Sequence, residues 1–97
     1  MKIRWSEEAK NDFVSIKKYW DKRNSSNQYS KSLYLDISTK LENIVLFPDI
    51  GLITNNIDIR YLVVENYLVF YHIKEVEILI IKIWDNRRNP DDLNIIN

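Results

Sequence analysis

The side chains best suited to chemistry in this 97-residue chain stand together in "IWDNRRNP", residues 83 to 90. Arg87 and Arg88 form the one Arg-Arg pair, placed where the most apolar run of the sequence stops. A guanidinium presents a planar fork of donors that grips carboxylate or phosphate through two parallel hydrogen bonds, so the pair is a candidate anion-recognition site. The competing use is structural, with one arginine paired to Asp85 or Asp91 at little net gain. Trp84 beside them could stack on a base, fill a partner's pocket or pack in the core. Arg60 and Lys82 are further cations inside apolar runs; Arg60 could meet an anion or pair with Asp58 or Asp85. His72 reads as a half-buried strand residue satisfied by a neighbour such as Glu77.

Other chemistries are pruned by what is scarce. One histidine, one glycine and no cysteine leave no Ser/His/Asp triad, no His or Cys metal set and no phosphate-cradling glycine loop, so no cofactor and no metal is expected. Fourteen basic residues balance fourteen acidic ones, which removes any global attraction to nucleic acid and makes a basic site a local matter. The absence of cysteine, of an apolar signal region in "MKIRWSEEAK" and of a bilayer-length run leads us to expect a cytoplasmic protein with no membrane association. Its length and 45% apolar content suit one domain, residues 1–97, with a single core.

The elements that must position these residues follow from periodicity. "KIRW" alternates as a short strand. Ser6 can cap a helix over about 7–23, whose apolar stripe is Ala9, Phe13, Ile16 and Trp20. Ser25 and Gln28 have capping-box spacing for a second helix, with Tyr29, Leu33, Ile37, Leu41 and Ile44 as its stripe, ending before Pro48. The lysine-rich outer face of the first helix reads as solvated, and Trp5, Trp20, Phe47 and Phe70 as core. "IDIRYLVV", "YLVFYHI" and "VEILIIKIW" read as three strands joined by tight hairpins at Glu65-Asn66 and Lys74-Glu75. The expected fold is α+β: an N-terminal strand and an antiparallel helical hairpin packed on a small, mainly antiparallel sheet.

A regular side-chain period of two divides the sheet residues into two faces. Ile57, Ile59, Tyr61, Val63, Leu68, Phe70, Leu79, Ile81 and Ile83 form the expected floor for the helices, with His72 and Glu77 at the rim. Asp58, Arg60, Leu62, Val64, Tyr67, Val69, Tyr71, Ile78, Ile80, Lys82 and Trp84 form the other. Two helices cover about one face, so the second is expected either to meet a partner or to be curled over by the first strand and the C-terminal tail.

In this order and spacing, "IRWSEEAKNDFVSIKKYW", "FPDIG", "IRYLVVENYLVFYHI" and "VEILIIKIWDNRRNP" resemble the ParE/RelE superfamily of type II toxin-antitoxin toxins over residues 2 to 92. The resemblance implies a growth-inhibiting toxin, of the kind tied to plasmid stabilisation, held by a cognate antitoxin and assembled as a homodimer or a toxin-antitoxin hetero-oligomer. RelE-like members are ribosome-dependent mRNA endonucleases, and ParE-like members bind DNA gyrase. The RelE-like arginine after the middle-strand tyrosine is replaced here by Leu68 after Tyr67, and the tail "NPDDLNIIN" has no Tyr, His, Lys or Arg to move a proton. The pattern is closer to ParE. The antitoxin- and target-binding residues implied are Arg60, Leu62, Tyr67, Tyr71, Lys82, Trp84, Arg87 and Arg88. The alternatives are an mRNA endonuclease acting with the ribosome through a cluster of Arg60, Arg87 and Arg88, and a degenerate binding or autoregulatory member.

Overall fold

The computed structural model describes residues 1–93. In chain order the elements are β1 (Lys2–Trp5), α1 (Glu7–Asn24), α2 (Gln28–Leu46), β2 (Leu52–Ile53), β3 (Ile59–Val64), β4 (Tyr67–Ile73) and β5 (Glu77–Asp85), with short 3-10 turns at Pro48–Ile50 and Pro90–Asp92. The sheet order is β1-β5-β4-β3-β2. β1 runs parallel to β5 and every other neighbouring pair is antiparallel. The expected α+β architecture is the one found.

Local chemistry sets the helix ends. Ser6 Oγ accepts the Ala9 N–H at 3.0 Å, and Glu7 and Glu8 stand in the first turn where the helix dipole favours them. Ser25 does not cap α2. It closes α1 in the left-handed conformation, φ 49°, and the cap residue of α2 is Asn27, which makes no side-chain cap bond. So short a connection leaves Ser25 the task of ending the first helix. The β3–β4 turn lies at Glu65-Asn66 as expected, Glu65 taking φ 54°. Between β4 and β5 the Lys74 N–H donates to the Glu77 carbonyl at 2.9 Å, which moves that turn one residue on, to Glu75-Val76.

A bulge reorganises the faces. Ile73 pairs with Ile78, His72 with Leu79 and Tyr71 with Ile80; past the irregularity, Phe70 pairs with Lys82, Val69 with Ile83 and Leu68 with Trp84. Ile81 is the extra residue. In an unbroken register Lys82 would stand opposite Val69, which is fully buried under the helices. The bulge puts Ile83 there instead and carries Lys82 to the side of Phe70, avoiding an ammonium in the core. Ile83 and Trp84 thus exchange the faces expected for them.

The helices also cover the other face from the one expected. Leu33, Ile37, Leu41 and Ile44 of α2 and Ala9 of α1 are buried with Val64, Tyr67, Val69, Tyr71, Ile78, Ile80 and Ile83. Both faces of the hairpin strands are apolar enough for a core, and the helices close on the one that carries Val69, Tyr71, Ile78 and Ile80. The remaining face partly closes on itself. Ile59, Phe70 and Trp84 are buried there, with Tyr61, Leu68, Ile81 and Leu93 packed around them.

The Pro48–Ile50 turn is fastened to this frame by two cross-strand neighbours, Arg60 and Tyr71. The Tyr71 hydroxyl donates to the Pro48 carbonyl at 2.8 Å and accepts the Gly51 N–H at 3.1 Å. Arg60 Nη1 donates to the carbonyls of Asp49 and Gly51 at 3.0 and 2.9 Å. Gly51 is required by proximity, since a Cβ there would stand 2.2 Å from the Tyr71 oxygen. Tyr71→Phe leaves the buried Gly51 N–H and the part-buried Pro48 carbonyl without this partner and is expected to cost about 1–3 kcal/mol. Gly51→Ala should cost at least as much, both read by urea denaturation; wild-type stability in either variant would mean that the turn is not anchored here.

Candidate functional site

Where β5 leaves the sheet, a cleft of about 450 Å3 opens between α1 and the strand exit, lined by Asp12, Tyr19, Tyr67, Ile83, Asp85, Arg87 and Arg88 among others. Its two arginines differ in state. Arg87 is locked: Nε and Nη2 donate to the two oxygens of Asp85 at 2.9 and 2.8 Å, and the Arg87 N–H donates to the same carboxylate at 2.9 Å. The side-chain hydrogen bond from Arg87 holds the Asp85 carboxyl below its usual range and pushes the guanidinium further up. Arg88 is exposed, its guanidinium carbon 4.3 Å from the centre of the Trp84 ring, with no carboxylate partner among the described residues. Stacking presents its donors to solvent while limiting its conformations.

Beside the cleft, the Trp20 indole N–H donates to the Tyr67 hydroxyl at 2.7 Å, and Arg23 and Arg87 lie 5.7 and 5.9 Å from the Trp20 ring centre. Asp12 does two jobs along the β5 edge that β1 leaves uncovered. One oxygen accepts the Ile83 N–H at 3.0 Å and the other accepts from Lys82 at 3.1 Å, with Glu8 at 3.3 Å completing the Lys82 shell.

The residues expected to act together are therefore dispersed. Arg87 and Arg88 share the exit cleft with Tyr67, which is 2% exposed. Tyr71 is fully buried and Leu62 packs against the helical core, so both lie beneath the helices and not on a contact face. Trp84 is 4% exposed on the opposite face, covered in part by Arg88. Lys82 is tied to α1. Arg60 clasps the Pro48–Ile50 turn and pairs with Tyr71, four residues along β4 from the Tyr67 that pairs with Asp85. At strand spacing that is about 13 Å from the exit, so the expected cluster of Arg60, Arg87 and Arg88 does not form. Neither expected partner of Arg60 is found; its acidic neighbour is Asp49, at 3.8 Å. His72 lies still further up β4, opposite Ile59 and Leu79. Among the described residues no group of three His, Cys, Asp or Glu could hold a metal, and no helix is long and apolar enough to cross a membrane.

A second concave surface was not anticipated. Where β1 meets the helical hairpin, Trp5, Phe13 and Tyr34 form a ring cluster with centroids 5.5 to 6.3 Å apart. Two clefts of about 440 and 590 Å3 share Phe13 and Tyr34, run past Val14 and Leu35, and carry Arg4, Lys10, Lys17 and Lys31 in their walls. Val14, Tyr34 and Leu35 are 46%, 48% and 64% exposed. The available signal was three large apolar residues off the main helical stripes. Phe47, expected in the core, is 62% exposed.

Residues 3–90 match the family described as ParE toxin of type II toxin-antitoxin system, parDE. The chain belongs to the ParE toxin family. A solved chain described as "Chromosomal ParDE TA system from P. aeruginosa" superposes with a TM-score of 0.70 at 20% identity, covering 86% of this chain and 92% of that one. That likeness confirms the fold. No curated protein matches the chain.

Because the folded Asp85 carboxyl is held low by Arg87, the pair's contribution is fully present above the unfolded carboxyl value of about 3.9 and is lost as pH falls through the lower folded value. Urea midpoints measured from pH 7 downward should therefore drop less steeply in Asp85→Asn than in the wild type. Parallel curves would show that the pair adds nothing to folding.

Proposed function

We propose that this ParE family toxin is neutralised by a cognate antitoxin in the cytoplasm and acts by binding an essential target, DNA gyrase being the first candidate, without cutting RNA. The observation that carries this reading is the distance separating Arg60 from the exit arginines. In-line attack on RNA calls for cations gathered about one phosphate and a group that moves the proton. Here Arg60 is engaged with backbone carbonyls, Arg87 is neutralised by Asp85, and His72 lies about 16 Å along the strand from the exit. What remains is a recognition surface. Arg88, presented on Trp84 beside the exposed Tyr19, suits bidentate contact with an acidic or phosphate group of a target.

The antitoxin surface favoured by the geometry is the outer helical groove. Its aromatic floor suits a segment with spaced apolar residues, which would order as it binds; of the four cations in its walls Arg4, Lys10 and Lys17 already face Glu77, Glu7 and Asp21, which leaves Lys31 without a carboxylate partner among the described residues and open to an acidic one.

Purified protein is expected to inhibit gyrase supercoiling, and Arg88→Ala to weaken the inhibition at least tenfold while leaving the fold intact. Adding the product of the adjacent small gene should restore supercoiling, and Leu35→Glu in the groove should block that rescue. Cleavage of mRNA in a translating extract, lost in Arg87→Ala/Arg88→Ala, would overturn the proposal.

A further inference from the structure

The largest apolar anomaly lies away from both surfaces, at the β2 edge. Leu46, Phe47, Ile50, Leu52, Ile53 and Ile57 are 69%, 62%, 55%, 52%, 74% and 88% exposed. β2 is the terminal strand of the sheet, so its outer side has no strand against it among the described residues. Leu52 pairs with Tyr61 and Ile53 with Arg60, which places the two β2 side chains on opposite faces of the sheet edge. Ile53 therefore joins the helix side, where α2 runs out into Leu46, and Leu52 the other, so apolar surface flanks the edge on both sides.

We infer that this edge is a homodimer interface, two copies of the chain pairing β2 antiparallel to β2 so that their sheets become continuous. Two properties select a second copy as the occupant. Each of the six residues is more than half exposed, so apolar area on the order of several hundred Å2 is available to self-association, the scale that one partner contributes to a standard interface. The segment from 46 to 57 also contains a single charged residue, Asp49, which faces Arg60 at 3.8 Å. A neutral apolar surface has no complement for an acidic antitoxin segment or for nucleic acid, whereas it matches itself. A two-fold axis normal to the sheet and passing beside Ile53 sets Ile53 against its own counterpart and Leu52 against Thr54 of the other copy, the reciprocal pairing that a closed isologous contact requires. The turn clasped by Arg60 and Tyr71 holds Ile50 and Leu52 in place before association, which lowers the ordering cost. The inference does not depend on the target or antitoxin proposed above.

The test is sedimentation velocity on the purified full chain across a concentration series, with Ile53→Lys and Ile57→Lys, both so exposed in the free chain that a lysine leaves the monomer fold undisturbed. The wild type should sediment at twice the chain mass by about 50 µM, and each lysine should raise the dissociation constant at least tenfold, with an unchanged circular dichroism spectrum. Leu35→Lys, in the outer groove, should leave the dimer unaltered. A wild type that stays monomeric throughout would overturn the inference. So would a dimer indifferent to both lysines, a dimer abolished by Leu35→Lys, or a monomer whose β2 edge binds the adjacent gene's product in an Ile53-dependent way.

Discussion

Lys82 stands in the middle of the most apolar strand of the protein, flanked by Ile81 and Ile83, on a strand whose inner face must pack under two helices. Removing an ammonium from water without a partner costs several kcal/mol, and the sheet is arranged so that this never happens. One extra residue at Ile81 changes the parity of β5, Ile83 takes the buried position beside Val69, and Lys82 comes out near the edge. There Asp12 of α1 takes the ammonium with one oxygen and the Ile83 amide with the other. The bulge, the seating of α1 on the strand edge and the identity of the residues that reach the exit are consequences of one solvation constraint.

From that arrangement follows the character of the exit site. Because the bulge turns Trp84 away from the helices, its ring becomes the bed on which Arg88 lies, while Asp85 faces back to hold Arg87. Two adjacent arginines in sequence therefore become one fixed and one available cation. The neutrality of the whole chain is compatible with such a site because the charge that matters is local and oriented.

The opposite side of the sheet is governed by a different rule. Arg60 and Tyr71, neighbours across β3 and β4, spend their polar groups on the backbone of the turn after α2. That clasp fixes the terminal strand in a region with almost no charge, so it creates an edge whose exposed groups are apolar. Three surfaces with different chemistries result: a cationic exit, a cation-walled aromatic groove and an uncharged edge.

Much of the architecture was legible in residue order alone. The Ser6 cap, the stripes on both helices, the Pro48 stop and the three strands rest on local propensity and periodicity, and these survive folding because they involve neighbours in the chain. The family likeness rested on the same local motifs. What pattern could not supply was which face the helices cover, since both alternating sets of the hairpin strands are apolar enough for a core. Nor could it supply the bulge, because "ILIIKIW" is apolar at nearly every position and a shift of one residue leaves no trace in its period. The roles of Arg60, Lys82, Arg87 and Arg88 depended on those two facts. They were decided only when the chain closed, by the face on which the helices packed and by the cost of burying a charge.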